Sequence, residues 1–260
     1  MKKISGLILS CERQELLAWE SLRSLIFTKP LWNSLSEVFL LVASKNNDSK
    51  VESFTISNKK VTVLRLLDIG IEETFIESLS YINNSFVYVM MDDRVIFNYN
   101  SKKLKQAINI FLNSSFTSLR LSNDGPMPLS LNLIDNLKQT YSYKTSLTNT
   151  IFKKNFLLSL LSTGKSIWEI DRSNFYINGM SMTASPSLYN YFFPLLKVHH
   201  LILKGKQIEY TNSGLFNKYM KDNVPLCANP IKRFYYKLYR LFSPFLIIKD
   251  ELQRFFTNSL

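Results

Sequence analysis

Phe86-Val-Tyr-Val-Met-Met-Asp-Asp93 is the stretch on which the reading of this chain turns. Phe86 to Met91 is unbroken by any charge, which suits a strand covered on both faces. Two carboxylates follow it at once. In an open α/β sheet, ligands gather beyond the carboxyl ends of the strands, so acids placed there are candidates for chemistry. The alternative for any isolated Asp-Asp is a solvated turn after a strand. The order of the elements before it weighs against that alternative.

Upstream, Ile4 to Cys11 (Ile-Ser-Gly-Leu-Ile-Leu-Ser-Cys) reads as a short buried strand, and helical signals run from Glu12 to Phe27. Glu37 to Ala43 and Val61 to Leu66 read as further buried strands. Glu72 to Asn83 reads as a helix with Ile76, Leu79 and Ile82 on one face. Alternating strands and helices of this kind imply βαβ units and a mainly parallel sheet. Downstream, Lys102 to Leu112 predicts a helix, Thr117 to Leu121 a strand, and Asn123-Asp124-Gly125-Pro126 a loop. Phe152 to Leu161 predicts a helix that stops near Gly164. Gly179 to Pro186 reads as a loop of small residues, Val198 to Leu203 as a late strand, and Lys204-Gly205-Lys206 as a turn. The expected fold class is therefore α/β, with residues 1–228 as one catalytic-type domain and residues 229–260 as a tail of different character.

That tail carries Ile231-Lys-Arg-Phe-Tyr-Tyr-Lys-Leu-Tyr-Arg-Leu-Phe242. On a helix Phe234, Leu238, Leu241 and Phe245 approximate one face, among Lys232, Arg233, Lys237 and Arg240. Such a basic aromatic helix suits an anionic membrane surface. It equally suits packing on the domain or on another subunit, and Pro244 interrupts any single long helix.

Composition agrees with a folded domain: 46% of the 260 residues are hydrophobic and 20% charged. The net charge of +12 favours phosphate-bearing partners without choosing among nucleic acid, anionic lipid and nucleotide diphosphates. Cys11 and Cys227 make no disulfide framework, so a reducing compartment is expected. Lys2-Lys3 before Ile4 to Cys11 imitates a signal peptide, but the apolar run is too short and Glu12-Arg13 breaks it. No uncharged apolar run reaches the ~18 residues of a membrane-spanning helix. The expected location is thus the cytoplasm, with peripheral attachment to the inner face of the membrane through the tail.

The acids supply the first chemistry. Asp92 and Asp93 can hold Mg²⁺ or Mn²⁺ through carboxylate oxygens, and the cation would neutralise a departing diphosphate. Ser10, Cys11, Glu12 and Arg13 form the first strand-to-helix turn, where Arg13 could grip phosphate in a bidentate fashion or simply start a helix at the surface. Asp68 follows the third strand. Gly164-Lys165-Ser166 lacks the upstream glycine of a phosphate loop and reads as a helix exit. His199 and His200, the only histidines, lack the partners a zinc site needs. No Gly-x-Ser-x-Gly elbow is present. Glu169 has two readings that the residues alone leave open: a favourable acid in the first turn of a helix, or a carboxylate whose pKa is raised by burial beside Trp168.

With these residues in view, the first half resembles a GT-A fold glycosyltransferase, the Rossmann-like nucleotide-diphospho-sugar transferase family. In that fold an N-terminal half ends in Asp-x-Asp or a similar acidic motif. Phe86 to Asp93 matches the pattern with its acids adjacent. The chain is further similar to small bacterial transferases of capsule and lipopolysaccharide clusters. In those, Ser-Leu-x-x-x-x-(Trp/Phe)-Lys-Lys-x-x-Leu-Leu precedes Trp-Glu. Here the stretches are Ser146-Leu-Thr-Asn-Thr-Ile-Phe-Lys-Lys-Asn-Phe-Leu-Leu158 and Ile167-Trp-Glu-Ile-Asp171.

The resemblance covers roughly residues 4 to 210. It implies transfer of a sugar from a nucleotide-sugar donor to a hydroxyl of a surface glycan or glycolipid. It implies donor contacts at Ser10, Cys11, Arg13, Asp68 and Asp92, and a metal on Asp93. It also implies a general base at Glu169, with Asp171 as the alternate. Two other classes fit parts of the chain. A nucleic-acid-binding protein fits the charge but leaves the acidic pair without a purpose, so no nucleic-acid partner is expected. A non-catalytic peripheral membrane protein on a similar scaffold fits the tail and the adjacent acids.

Overall fold

The computed structural model describes residues 2–45, 49–122, 135–136, 147–172, 181–183, 195–200, 202–203 and 206–207. The loop expected at Asn123 to Pro126, the glycine of the Lys204-Gly205-Lys206 turn, Cys227 and the whole 229–260 tail lie outside them. The chain divides into two units, Met1–His199 and His200–Leu260. In the second, the described residues form the strands β12 (Ile202–Leu203) and β13 (Lys206–Gln207), paired antiparallel.

The first unit is built on one nine-stranded sheet. Its first half alternates as expected. It runs β1 (Ile4–Cys11), α1 (Glu15–Phe27), α2 (Lys29–Ser34), β2 (Leu35–Ser44), β3 (Lys50–Ile56), β4 (Lys59–Leu67), α3 (Ile71–Ser80) and β5 (Phe86–Met91). Then come β6 (Arg94–Tyr99), α4 (Ser101–Leu112), β7 (Ser118–Arg120), β8 (Asp135–Asn136), β9 (Thr150–Lys153), α5 (Lys154–Leu161), α6 (Ile167–Arg172), β10 (Ser181–Thr183) and β11 (Leu196–His200). The spatial order is β3-β4-β2-β1-β5-β9-β7-β10-β8, while β6 leaves the sheet to pair with β11.

The block β4-β2-β1-β5 is parallel throughout. β7 and β10 share its direction, whereas β3, β8 and β9 oppose their neighbours. The sheet is therefore mixed, with its parallel strands in the majority. The continuous apolar runs of β1, β2 and β5 are buried because each has a helix layer on either side. Ile8, Val38, Val63, Tyr88 and Met90 face α1, α2 and α4. Leu7, Leu9, Phe39, Leu64 and Val87 face α3, α5 and α6. This alternation is the two-residue period of a strand.

Local chemistry sets the joints. α1 buries Leu17, Ala18, Leu22 and Leu25. The Thr28 N–H bonds back to the carbonyls of Ser24 and Leu25, and Pro30 opens α2. Asn100 caps α4 by accepting from the Lys103 N–H at 3.0 Å. Gly70 enters α3 at φ +123°, a conformation that favours glycine. The first turn of α1 is tied to β4 by Glu15 and Arg65, bonded as a fork at 2.6 and 2.7 Å. At the opposite, amino end of the sheet, Asn84 Nδ2 donates to the Ser5 and Ser36 hydroxyls and to Glu37.

Three expectations need correction. The helix expected from Phe152 starts at Lys154, because Thr150 to Lys153 is drawn into the sheet between β5 and β7. Ile151 and Phe152 are fully buried there. Just ahead, Asn149 takes φ +52°, accepts from the Leu121 N–H at 2.9 Å and from the Tyr88 hydroxyl at 2.7 Å, and so turns the chain into β9. Within the stretch expected to be a loop, Ser181–Thr183 adds a strand beside β7. The late strand divides into β11 and β12.

Candidate functional site

The acidic pair sits where the sequence places it, just past the carboxyl end of β5. The Asp92 N–H extends the parallel ladder by one bond to the Leu9 carbonyl at 3.0 Å. This draws the carboxyl group in beside the end of β1. Asp92 is 6% exposed. One of its oxygens, Oδ2, accepts from the Ser10 hydroxyl at 2.7 Å. Burial pushes its pKa up to about 7. The Ser10 bond pulls the other way, and the neighbouring Asp93 charge adds to the rise. An acid in this state sits near half-protonation at neutral pH, and a cation arriving beside it would favour its charged form.

Asp93 is half-buried and its Oδ1 lies 3.2 Å from Arg94 Nε. α1 holds the backbone of this turn. The Ser21 hydroxyl lies 2.7 Å from both the Asp92 and the Arg94 carbonyls, and the Ile96 N–H donates to the Ser24 hydroxyl at 3.1 Å. Burial and the Asp92 charge push the Cys11 thiol up, leaving it a poor nucleophile.

Ser10, Cys11, Asp92 and Asp93 are thus gathered at the ends of β1 and β5. Arg13 is exposed on a 3-10 turn, Glu12–Gln14, that leads from β1 into α1. Asp68 is exposed past β4, two strands away from β1, where its carboxylate accepts from the Gly70 N–H at 3.4 Å.

Glu169 and Asp171 lie on α6. That helix packs through Ile167 and Ile170 on the face opposite to α1. Glu169 is fully exposed. Its carboxylate accepts from the Ser166 N–H at 2.9 Å and the Ser166 hydroxyl at 2.8 Å, and its own N–H reaches back to that hydroxyl at 3.3 Å. This is a capping box, and the Ser166 bonds hold the Glu169 pKa below its ordinary value. The burial expected beside Trp168 is not found at Glu169. Glu72 of α3 caps the same helix, accepting from the Ile167 N–H at 2.6 Å. The side chains of Trp168, Asp171, His199 and His200 lie outside the described residues.

The sequence reading missed Arg94, Ser21 and Ser24. Arg94 directly follows the acids. Ser21 and Ser24 fall among Leu17, Ala18, Leu22 and Leu25, so hydroxyls on an apolar helix face were the available signal.

No protein-family model matches the chain, and no curated relative matches it in sequence. Among solved structures, a UDP-glucose pyrophosphorylase complexed with UDP-glucose is similar at a TM-score of 0.47 and 12% identity, over 76% of this chain and 93% of that one. TarS of S. aureus, residues 1–349 in complex with UDP, is similar at 0.41 and 19%, over 62% of this chain and 52% of that one. A cytidylyltransferase from Leptospira borgpetersenii serovar Hardjo-bovis is similar at 0.39 and 15%, over 66% and 68%. The chain spans about half the length of the TarS fragment it matches.

Proposed function

We propose that this chain is a glycosyltransferase that moves a sugar from a nucleotide-sugar donor to a hydroxyl of a bacterial surface glycan, of the capsule or lipopolysaccharide kind. The observation that carries the reading is the buried Asp92, pushed up to about 7 and held by Ser10 at the carboxyl end of the central strand β5. An acid kept reluctant to ionise by burial, at the strand ends where α/β sheets bind ligands, is a candidate for function.

In the proposed reaction the acceptor oxygen bonds to the anomeric carbon as that carbon's bond to the diphosphate oxygen breaks. The nucleoside diphosphate leaves, and the acceptor proton passes to a base. Asp92 and Asp93, with the donor's phosphate oxygens, would offer oxygen ligands of the kind Mg²⁺ or Mn²⁺ takes. Among the described residues no group of three or more His, Cys, Asp or Glu gathers to hold a metal. When bound, such a cation would neutralise charge on the leaving diphosphate. Ser10 orients the Asp92 carboxyl, and Arg94 balances the Asp93 charge before any ligand arrives.

Of the two α6 carboxylates, we assign the base to Asp171, because the Glu169 carboxylate is spent on its cap. The first turn, with Arg13, and Asp68 stand at the same edge of the sheet for donor contacts. The 229–260 tail would bring the enzyme to an anionic membrane carrying the acceptor. Among the described residues no helix is long and apolar enough to cross one.

The Asp93–Arg94 pair favours a second reading: a non-catalytic protein whose acidic turn is already neutralised from within. Thermal shift against UDP-, GDP-, CDP- and ADP-sugars, with and without Mn²⁺, tests the first. Stabilisation by one nucleotide class supports it, and no shift with any of them refutes it.

A further inference from the structure

The acidic turn is bound to helix α1 by side chains, where a ladder of main-chain bonds would ordinarily hold a strand end. β5 pairs with β1 only as far as Met91, and the Asp92 N–H makes the last bond along that edge. Beyond it the chain departs into β6, which pairs outside the main sheet. Two serines of α1 take over. Ser21 is fully buried, and its hydroxyl stands 2.7 Å from each of the two carbonyls that bracket Asp93, those of Asp92 and Arg94. A hydroxyl has one proton, so the two carbonyls share or exchange it. Ser24, also buried, receives the Ile96 N–H at 3.1 Å and passes its own proton to the Ser21 carbonyl at 2.8 Å. Backbone groups from Asp92 to Ile96 are thus fixed to one helix turn. The Asp92 carboxyl is fixed separately, by Ser10.

We infer that Ser21 and Ser24 are positioning residues, a two-serine latch that sets the acidic turn for binding a nucleoside diphosphate. This inference rests on the functional reading above. Neither hydroxyl touches the ligand; both act through the backbone of Asp92 to Ile96. α1 begins at the Cys11 to Gln14 turn and is anchored to β4 by the Glu15–Arg65 fork. The latch therefore ties the acids to the same rigid helix that carries the other half of the proposed donor edge. A shift of about 1 Å in such a constellation is enough to weaken productive contacts severely.

A matched control exists elsewhere in the fold. Ser78 of α3 is equally buried, but among the described residues its hydroxyl bonds only to the Phe75 carbonyl of its own helix, at 2.7 Å. The test is calorimetric titration of the full chain with UDP, GDP, CDP and ADP in the presence of Mn²⁺, for wild type and for the Ser21→Ala, Ser21→Thr and Ser78→Ala variants. Ser21→Ala should weaken the preferred nucleotide about tenfold. Ser21→Thr, which keeps the hydroxyl, should restore affinity to within about threefold. Ser78→Ala should stay within about twofold. Amide exchange gives a second measurement: Asp93 to Ile96 should exchange at least about tenfold faster in Ser21→Ala and at the wild-type rate in Ser78→Ala. Wild-type affinity in a folded Ser21→Ala variant, or equal losses in Ser21→Ala and Ser78→Ala, would overturn the positioning role. If wild type binds none of the four nucleotides, the glycosyltransferase reading falls. The exchange rates then still decide the latch, which unchanged rates in Ser21→Ala would overturn.

Discussion

Asp92→Asn removes a carboxyl group that the fold makes reluctant to ionise, and the effect should be visible as a change in how stability depends on pH. The group is raised from 3.8 to about 7, chiefly by burial. A carboxyl raised on folding contributes stability that is fully present below pH 3.8 and is lost as pH rises through about 7. The whole shift, about three units, corresponds to about 4 kcal/mol. Between pH 5 and pH 8 the two-pKa linkage relation assigns most of that, on the order of 2 to 3 kcal/mol, to Asp92. Asparagine keeps the shape and can accept from Ser10, but it does not titrate.

The assay is urea unfolding of both proteins at pH 5 and pH 8, followed by the fluorescence of Trp19 and Trp32. The quantity to compare is the change between the two pH values within each protein. Any constant cost of seating the amide cancels, and so do titrating groups that do not interact with Asp92; Asp93 and Cys11, which feel its charge, do not cancel fully. The wild type should lose on the order of 2 to 3 kcal/mol more than the variant over this interval. Equal losses in the two proteins would show that Asp92 is ionised at ordinary carboxylate pH. The raised acid would then no longer support a functional site.

Two further outcomes follow from the same contacts. Glu169→Ala should lower the thermal unfolding midpoint through loss of the capping box, whereas Glu169→Gln, which can still cap, should keep it close to wild type. On the proposed assignment Glu169→Gln should also retain near-normal turnover, and an inactive but fully stable Gln variant would return the base to Glu169. Deleting residues 230–260 should abolish co-sedimentation with phosphatidylserine vesicles at low salt while leaving nucleotide-induced thermal shifts intact. Unchanged vesicle binding would remove the tail from the membrane role.

The first half of the fold was legible because burial on both faces writes itself as unbroken apolar runs. Ile4 to Cys11 matches β1 end for end, and Glu37 to Ala43 and Val61 to Leu66 lie within β2 and β4. β3 escaped notice because it is an edge strand facing water along most of its length, and its Lys50, Glu52, Ser53 and Thr55 break up any apolar run. β9 escaped because Phe152 and Lys153 continue smoothly into a helical pattern; only pairing with β5 and β7 makes them strand. At the site, Asp92 and Ser10 were legible from their places at strand ends. The raised pKa was not, since burial depends on α1 closing over the turn. The Ser166-x-x-Glu169 spacing was a readable capping signature that the resemblance to a catalytic motif outweighed.

The placement of β9 governs how the chain can fold. β9 lies between β5 and β7, yet it follows both in sequence, and the last of its residues, Lys153, comes more than 60 residues after Phe86. Until it arrives, β5 is the raw edge of the parallel block, and the main-chain groups of Phe86 to Val89 that β9 will bond stand along an open margin. Such a margin is a template for pairing with the wrong strand. During synthesis at ~5–20 residues per second, that exposure lasts several seconds or more. The late, long-range closure also makes the sheet slow to complete. The open β5 edge is therefore the stretch most exposed to mispairing while the chain is being made, a hazard that the finished core does not show.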